Sequence, residues 1–353
     1  MSPLSLTSSR EHVVEDRHRE APRRRRGVAA GVFLLGAGIV VLLFFLSLAI
    51  GSKPLSFPDV WHGLTTMDGS RESIIVWQLR MPRTVLAVLV GAALAVAGVM
   101  MQALTRNPLA EPGLLGVNSG AAFVVVLSIT VLGATGIGTN LWFAFLGSAL
   151  AAGFVYGISI RRTHASDHAR LVLAGAALTA CLGSLTGIMT MFNTEVFSSY
   201  RFWVIGSVAE RGTEPLVAIT PFVLVGLVLA LACGPMLNAL ALGDEQATSL
   251  GVRLAVIRGL AFASITLLCG AATAAAGPIA FVGLVVPHAL RLVVGVEQRV
   301  LLSLSLIAGP ALVLAADIIG RIVAPPGELE VGLVTAFIGA PVLLALIMRR
   351  RSS

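Results

Sequence analysis

The chain has 353 residues, of which 56% are hydrophobic and 12% are charged, and its mean hydropathy is +0.92. Soluble domains carry about 25% charged residues, so a water-soluble fold of this size is excluded. The net charge of +7 is consistent with membrane topology and attraction to lipid headgroups, and we expect no nucleic-acid partner. The apolar residues form long runs, which predicts a protein embedded in a lipid bilayer that it crosses many times.

The first 26 residues are polar and end in four arginines, Arg23 to Arg26, directly before the first apolar run. A secretory signal peptide would have a shorter apolar region followed by a small-residue cleavage site. We therefore interpret residues 1–27 as a disordered cytoplasmic tail, with the arginines holding the first span from the inside.

Ten apolar stretches have the length of a membrane-spanning helix, about 20 residues. Two of the divisions between them rest on glycine and proline, which favour a break at 133–140 and at Gly277-Pro278. The sequence therefore predicts an all-α polytopic membrane domain over residues 28–350. The predicted spans are 28–50, 84–105, 114–132, 141–160, 171–192, 216–236, 256–276, 279–295, 300–320 and 331–348.

The distribution of positive charge gives the orientation of these spans. Under the ten-span arrangement, 18 of the 25 Lys and Arg residues fall on one side of the membrane, which leaves seven on the other. Because cytoplasmic loops carry the excess of Lys and Arg, both termini are predicted to be cytoplasmic. We expect a multi-pass protein of the cytoplasmic (inner) membrane.

Motifs for catalysis are absent from the sequence. The only lysine is Lys53, and no phosphate-binding glycine loop precedes it. There is no His-Glu-x-x-His zinc pair and no glycine-flanked nucleophilic serine, and the three cysteines lack metal-ligand spacing. The chain is therefore not expected to be an enzyme or to hold a metal, and transport energy must come from a partner or an ion gradient.

Four motifs carry a family resemblance: LRMPR at 79–83, MQALTRNPLAEPGLLGVN at 101–118, GPIAFVGLVVPH at 277–288 and AAD at 315–317. Together they resemble the FecCD/BtuC-like permeases of ferric-siderophore and vitamin B12 ABC importers, from about residue 28 to 350. The resemblance implies a BtuC-like type II importer permease with ten transmembrane helices.

The same resemblance implies the partners of such a permease. These are a second permease chain, identical or paralogous, two cytoplasmic ATPase subunits and an extracytoplasmic substrate-binding protein. ATP and magnesium would bind to the ATPase subunits, so no cofactor is expected in this chain.

In this family, arginines on the outer rim accept acidic residues of the binding protein, and the matching positions are Arg80, Arg83 and Arg321. A guanidinium offers a fixed fork of donors and keeps its charge, which suits this role. Two alternatives stay open: Arg80 and Arg83 could anchor a helix in the headgroups, and Arg321 could pair with Asp317 one turn earlier.

Segment 239–252 resembles the part of the family that forms two short helices seated in a cleft of the ATPase. Asp244 and Glu245 fall in the first turn of a helix that begins at Gly243, where negative charge complements the helix dipole. The resemblance implies that Gly243, Asp244, Glu245 and Gly251 couple the permease to the ATPase. A plain reorientation loop is the alternative.

The resemblance places the transport pathway along the fifth and tenth helices. In the fifth helix, Thr179, Ser184 and Thr186 are candidate wall residues, although close helix packing is the alternative for each. Asp167 and His168 fall where the related B12 permease has small hydroxyl residues at its gate. His168 could equally be a solvated loop residue.

The expected function is that of a permease subunit that imports a ferric siderophore, with cobalamin or haem as alternative substrates. An ion-coupled secondary transporter is a different class, and it would need an acid near the midplane or inverted repeats with broken helices. The only acid placed well within a span is Asp317, and it has Arg321 as a neighbour. Glu111 lies in a Pro-bounded turn predicted to be cytoplasmic, which needs no proton-relay role.

Overall fold

The structure is a computed structural model that describes residues 5–51, 53–134, 136–159, 167–209, 211–325 and 327–351. Side chains are described from Gly27 onward, apart from those of residues 137, 159, 167–169, 346, 347 and 349–351. Within these ranges all regular secondary structure is helical. The α-helices are α1 (Ser5–Ala49), α2 (Phe57–Thr65), α3 (Arg71–Ile74), α4 (Met81–Thr105), α5 (Val117–Leu132), α6 (Ile137–Ser159), α7 (Asp167–Met191), α8 (Thr194–Val204), α9 (Glu214–Ala241), α10 (Asp244–Ser249), α11 (Leu254–Ala276), α12 (Val282–Val294), α13 (Gln298–Val323) and α14 (Val331–Arg351).

The predicted all-α polytopic architecture is confirmed. Among the described residues, seven helical segments are long and apolar enough to cross a membrane, and three shorter apolar helices bring the number to ten. The shorter ones are α5, α12 and the first part of α14, Val331–Ala345. Each of the ten matches one predicted span, and both predicted breaks are present, after Leu132 and after Ala276. The disordered tail proposed for residues 1–27 stays a prediction.

Three short helices that the sequence did not predict lie between the predicted spans. Ser56 is the N-cap of helix α2: its hydroxyl accepts a hydrogen bond from the backbone N–H of Asp59, and the Asp59 carboxylate accepts one from the backbone N–H of Ser56. Helix α3 continues through a π-helical turn, Ile75–Arg80, directly into α4. Helix α8 is capped by the side chain of Asn193. These elements were missed because runs of four to eleven residues are too short to read as spans.

Helix α4 forms the centre of the bundle and packs against α9, α11, α12 and α13. Glycines allow the closest of these contacts. A Cβ added to Gly98 would lie 2.0 Å from the carbonyl oxygen of Gly283 in α12, and one added to Gly91 would lie 2.6 Å from the carbonyl oxygen of Gly309 in α13. Small residues let helix backbones approach closely where lipid supplies no hydrophobic driving force.

Helix α12 begins inside the bundle, where Gly283 near its start packs against Gly98 of α4. Helix α12 has 13 residues and is therefore only about 20 Å long, against a hydrocarbon thickness of about 30 Å. Its first turn meets the α4–α5 connection, where the Glu111 carboxylate accepts a hydrogen bond from the backbone N–H of Phe281 at 2.6 Å. Non-helical backbone at this depth requires an internal partner of this kind.

The spanning helices give the bundle two ends. Helix α4 has 25 residues, Met81–Thr105, and is about 37 Å long; Arg83 lies in its first turn and Arg106 follows its last residue. We name the end that holds Arg80, Arg83 and Arg321 the arginine end. The opposite end, which holds α10, is named the coupling end.

Candidate docking and coupling sites

An ion-pair cluster at the arginine end joins α4 to α13. The Arg83 side chain holds Asp317 with two groups: its Nη2 lies 2.7 Å from Oδ1, and its Nε lies 3.1 and 3.2 Å from the two carboxylate oxygens. Its Nη1 donates to Oε2 of Glu328 at 2.6 Å. The Asp317 side chain is 1% exposed, while Glu328 is 27% exposed. Arg83 therefore has a fully buried partner and a partly exposed one.

Arg321 completes this cluster and ties it to the end of α1. Its Nη2 pairs with Asp317 one turn earlier in α13 and donates to the hydroxyl of Ser47 at 3.1 Å. Its Nη1 donates to the carbonyls of Ser47 and Ile50 at 2.7 and 2.8 Å. The alternative noted from the sequence, an Arg321–Asp317 pair, is thus present in the folded chain.

Arg80 binds the same end of α1 from the π-helical turn. Its guanidinium donates to the carbonyls of Leu48, Ala49 and Lys53, the second at 2.9 Å. The last carbonyls of a helix have no intrahelical partner, and cationic groups complement the negative end of the helix dipole. Arg80 and Arg321 are only 7% and 6% exposed. Both therefore act within the chain as caps of α1.

The three arginines border a cavity of about 540 Å³, and Arg211 from the α8–α9 connection also lines it. The exposed Lys53 also lines it, and Glu328 is its acidic residue. Burial lowers the pKa of Arg211, and the charge of Glu330 opposes this shift without a direct contact. An arginine side chain keeps its proton at neutral pH, so Arg211 is a cation.

The structure brings together the three arginines that were predicted for docking, and it gives each of them partners inside the chain. It also places them at one end, as the ten-span arrangement requires. Docking to a second protein stays a prediction for all three.

The coupling end contains the short helix that the sequence predicts. Gly243 precedes α10 with φ 120°, and Gly251 follows it with φ 82°. Side chains other than glycine rarely adopt such values, so these two glycines set the bends on either side. The resemblance implies two short helices in this segment, whereas the structure has one of six residues before α11 begins at Leu254.

Asp244, the first residue of α10, is held by two arginines of its own chain. Its Oδ2 accepts from Nη2 of Arg258 in α11 at 2.7 Å, and its Oδ1 pairs with Nη2 of Arg106 at the end of α4. Arg106 also donates to the carbonyl of Leu240 in α9 at 3.0 Å. We name this group the Asp244 clasp. Burial raises the pKa of Asp244, but the charges of Arg258 and Arg106 outweigh burial and leave it below its usual value.

Among the described residues, the opposite face of α10 forms no ion pair. Glu245 is exposed, and the flanking Leu242 and Leu250 are 58% and 64% exposed, whereas Ala247 is buried. Of the four predicted coupling residues, Asp244 therefore faces the bundle and Glu245 faces away from it.

The predicted pathway residues of α7 differ in their surroundings. Thr186 is 2% exposed, while Thr179 and Ser184 are exposed. Asp167 and His168 lie at the start of α7, where side chains are outside the described part, so the proposed gate stays a prediction. A further feature of this helix is that a Cβ added to Gly183 or Gly187 would meet nothing within 4 Å.

Sites for metals are absent from the part of the chain that the structure describes, since it holds no group of three His, Cys, Asp or Glu residues arranged to bind an ion. Cys233 and Cys269 are buried and Cys181 is exposed in α7. None of the cysteines forms a disulfide with another.

The family model described as the FecCD transport family matches residues 39–349. The chain belongs to the FecCD transport family. This membership confirms the resemblance drawn from the four motifs.

Several FecCD relatives match this chain over most of its length. The ferric enterobactin transport system permease protein FepD of Escherichia coli (strain K12) is 43% identical over 316 residues, which cover 89% of this chain and 94% of the relative. The Fe(3+)-citrate import system permease protein YfmD of Bacillus subtilis (strain 168) is 38% identical and covers 94% of this chain and 98% of the relative. The hemin transport system permease protein HmuU of Yersinia pestis is 37% identical over 89% of this chain and 95% of the relative.

A solved structure has the same fold. It is an inward-facing conformation of a metal-chelate type ABC transporter, with a TM-score of 0.79 and 28% identity, covering 92% of this chain and 99% of that one. FecCD proteins are membrane permeases that work within ABC importers. The chain is therefore an integral membrane protein and a transporter component rather than an enzyme.

Three residues of these sites were not predicted. Arg106 lies within a FecCD motif, but its pairing with Asp244 spans 138 positions, and Arg258 gave no local signal beyond its charge. Arg211 appeared in the sequence only as one of the seven cations on the predicted outer side.

Proposed function

We propose that the chain is the permease subunit of a binding-protein-dependent ABC importer that carries a ferric siderophore across the cytoplasmic membrane. The observation that carries this proposal is that one helical bundle has a cluster of charged residues at each of its two ends. Arg83, Asp317 and Arg321 join α1, α4 and α13 at the arginine end, and the Asp244 clasp joins α4, α9, α10 and α11 at the coupling end. Helix α4 connects the two directly.

For the substrate, we infer an iron chelate because the relatives are named for ferric enterobactin, Fe(3+)-citrate and hemin. A ferric siderophore is our first choice. Haem is the second choice, because one relative is a hemin permease. Cobalamin stays a third alternative, and only the resemblance of the four motifs to vitamin B12 importers supports it. Membership in a family of ABC-importer permeases favours ATP-driven uptake over the ion-coupled alternative.

At the arginine end, we infer docking of an extracytoplasmic substrate-binding protein. Arg83 is suited to this because Glu328, its second partner, is partly exposed and could be replaced by a carboxylate of the incoming protein. Arg80 and Arg321 would contribute by fixing the end of α1 beneath the docking surface.

At the coupling end, we infer two ATPase subunits that bind ATP and magnesium, with no cofactor in this chain. Glu245 and the exposed Leu242 and Leu250 would face the ATPase. Gly243 and Gly251 would set the angle of α10, and Asp244 would transmit its movement to α4 and α11.

A second permease chain, identical or paralogous, is expected along α7 and α14. The open faces of Gly183 and Gly187, four residues apart, suit the close approach of another helix. Thr179 and Ser184 lie on exposed positions of the same helix, so the pathway would run along it, with Asp167 and His168 near its predicted cytoplasmic gate. Both termini are expected in the cytoplasm.

The experiment that tests the substrate is uptake in a strain from which the gene has been deleted. Radiolabelled ferric siderophores, haem and cobalamin are supplied separately, with and without the gene restored. Loss and recovery of ferric siderophore uptake alone supports the proposal. Loss and recovery of haem or cobalamin uptake alone would replace the siderophore with that substrate.

A further inference from the structure

The cavity at the arginine end holds more positive than negative charge. Five cations line it: Lys53, Arg80, Arg83, Arg211 and Arg321. Three carboxylates oppose them: Glu328 in the lining, Asp317 buried beneath it, and Glu330, whose charge acts on Arg211 without a direct contact. A cavity with such an excess attracts anionic groups, and its partly buried position reduces screening by salt.

Three of these cations already have partners in the folded chain. Arg83 is shared between Asp317 and Glu328, Arg321 is held by Asp317 and the end of α1, and Arg80 donates to three carbonyls. Removing any of them from these partners would leave buried acceptors unsatisfied, which costs free energy. They form a fixed base under the cavity.

Arg211 differs from these three arginines because most of its donors have no partner among the described residues. Its Nε donates to the carbonyl of Ser207 at 3.3 Å, while its two terminal nitrogens have no hydrogen-bond or ion-pair partner among the residues described around the cavity. The side chain is half-buried, so its position is restricted although the donors are free. Exposed Lys53 lines the same cavity, and its ammonium group likewise has no partner in the described ranges.

We propose that Arg211, with Lys53 beside it, binds the carboxylate of an acidic side chain of the extracytoplasmic binding protein. This inference rests on the proposed function and adds a direct contact residue to its docking surface. A half-buried guanidinium with two free donors can form the bidentate pair that makes arginine frequent at interface hot spots.

The rest of the lining favours a protein over a free anion. Leu79, 64% exposed, and the exposed Gln78 stand at the cavity beside the charged groups. Protein interfaces combine apolar and polar groups in this way around their charged anchors. A carboxylate from a protein would also place its neighbouring residues against Leu79.

The test measures docking of the importer's extracytoplasmic substrate-binding protein to the permease–ATPase complex in lipid nanodiscs. Arg211→Glu is expected to weaken the affinity by about tenfold or more, because it replaces attraction with repulsion. Arg71→Glu is the matched control, since Arg71 is exposed at the start of α3 and outside the cavity lining. It is expected to change the affinity by less than about twofold.

Equal affinity of the unaltered and Arg211→Glu complexes would overturn this inference while leaving the proposed function intact. Absence of any docking by the unaltered complex would overturn both. If Arg211→Glu does not assemble with the ATPase, Arg211→Gln is measured in its place, and unchanged affinity of that variant would also overturn the inference.

Ferric citrate without the binding protein forms the second arm of the test. We expect Arg211→Gln not to alter any binding of this free chelate. Saturable chelate binding that Arg211→Gln abolishes, with protein docking unchanged, would show that the cavity takes a free anion and would overturn the docking role.

Discussion

Arg83 and Asp317 are 234 positions apart in the sequence, and their side chains form an ion pair of 2.7 Å between Nη2 and Oδ1. The same carboxylate is also held by Arg321. Asp317 is therefore a buried negative charge between two positive ones, and it joins α4 to α13. This arrangement explains an acid within a membrane span without a role in proton transfer.

The first prediction concerns this carboxylate. Asp317→Asn leaves the guanidiniums of Arg83 and Arg321 with one partly exposed acid, Glu328, so we expect the free energy of unfolding to fall by about 3–5 kcal/mol. The measurement is the thermal denaturation midpoint of the detergent-purified complex. Glu195→Gln is the control, because Glu195 is exposed at the start of α8; an equal midpoint for both variants would refute the role assigned to Asp317.

The second prediction concerns the Asp244 clasp. Asp244→Asn removes the charge that holds Arg106 and Arg258, so movement of α10 should no longer reach α4 and α11. We expect ATP hydrolysis to continue while transport per ATP falls at least about fivefold, the lower end of typical coupling energies. Both rates are measured in proteoliposomes with the ATPase and binding protein present.

Glu297→Gln serves as the control for the clasp, since Glu297 is exposed before α13 and forms no ion pair within the described residues. It should leave the ratio of transport to hydrolysis unchanged. A variant Asp244→Asn with the ratio of the unaltered complex would show that the clasp does not transmit motion.

The positions of the spans could be predicted from sequence because apolar length is a local property. The breaks after Leu132 and Ala276 followed from Gly and Pro. The burial of Glu111 inside the bundle could not be predicted. The sequence places its turn on the cytoplasmic side, and only the structure shows that α12 begins inside the bundle and meets this turn. The contact with Phe281 joins residues 170 positions apart.

The sequence predicted which residues form the candidate sites, but not which residues they contact. The family motifs marked Arg80, Arg83 and Arg321, and the structure adds that two of them cap the end of α1. Asp244 was expected to serve the ATPase, yet its carboxylate binds arginines from α11 and from the end of α4. Such pairings arise from tertiary packing, which a pattern within one segment does not contain.

The third prediction concerns the contact between α4 and α12. Gly98→Ala places a methyl group 2.0 Å from the carbonyl oxygen of Gly283, so the helices must separate. Overpacking of this kind costs about 1–3 kcal/mol, and we expect a lower denaturation midpoint. Gly153→Ala is the control in α6, where a Cβ meets nothing within 4 Å; equal midpoints would contradict the close approach.

The fourth prediction concerns the pairing of permease chains. Gly187→Leu fills the open face of α7 with a bulky side chain, which should prevent another helix from approaching. Native mass spectrometry is expected to show that most of the complex has lost its second permease chain. Gly38→Leu on α1, which also has open space around its Cβ position, should preserve the pair; intact pairing in both variants would exclude α7 as the interface.

The source of transport energy is the central claim, and reconstitution tests it most directly. Proteoliposomes are prepared with the permease, its ATPase and its binding protein, and radiolabelled ferric siderophore uptake is followed with ATP and magnesium supplied on the ATPase side. Uptake should require ATP and stop when the ATPase is left out. Accumulation of the chelate without the ATPase, driven by an ion gradient, would contradict the account.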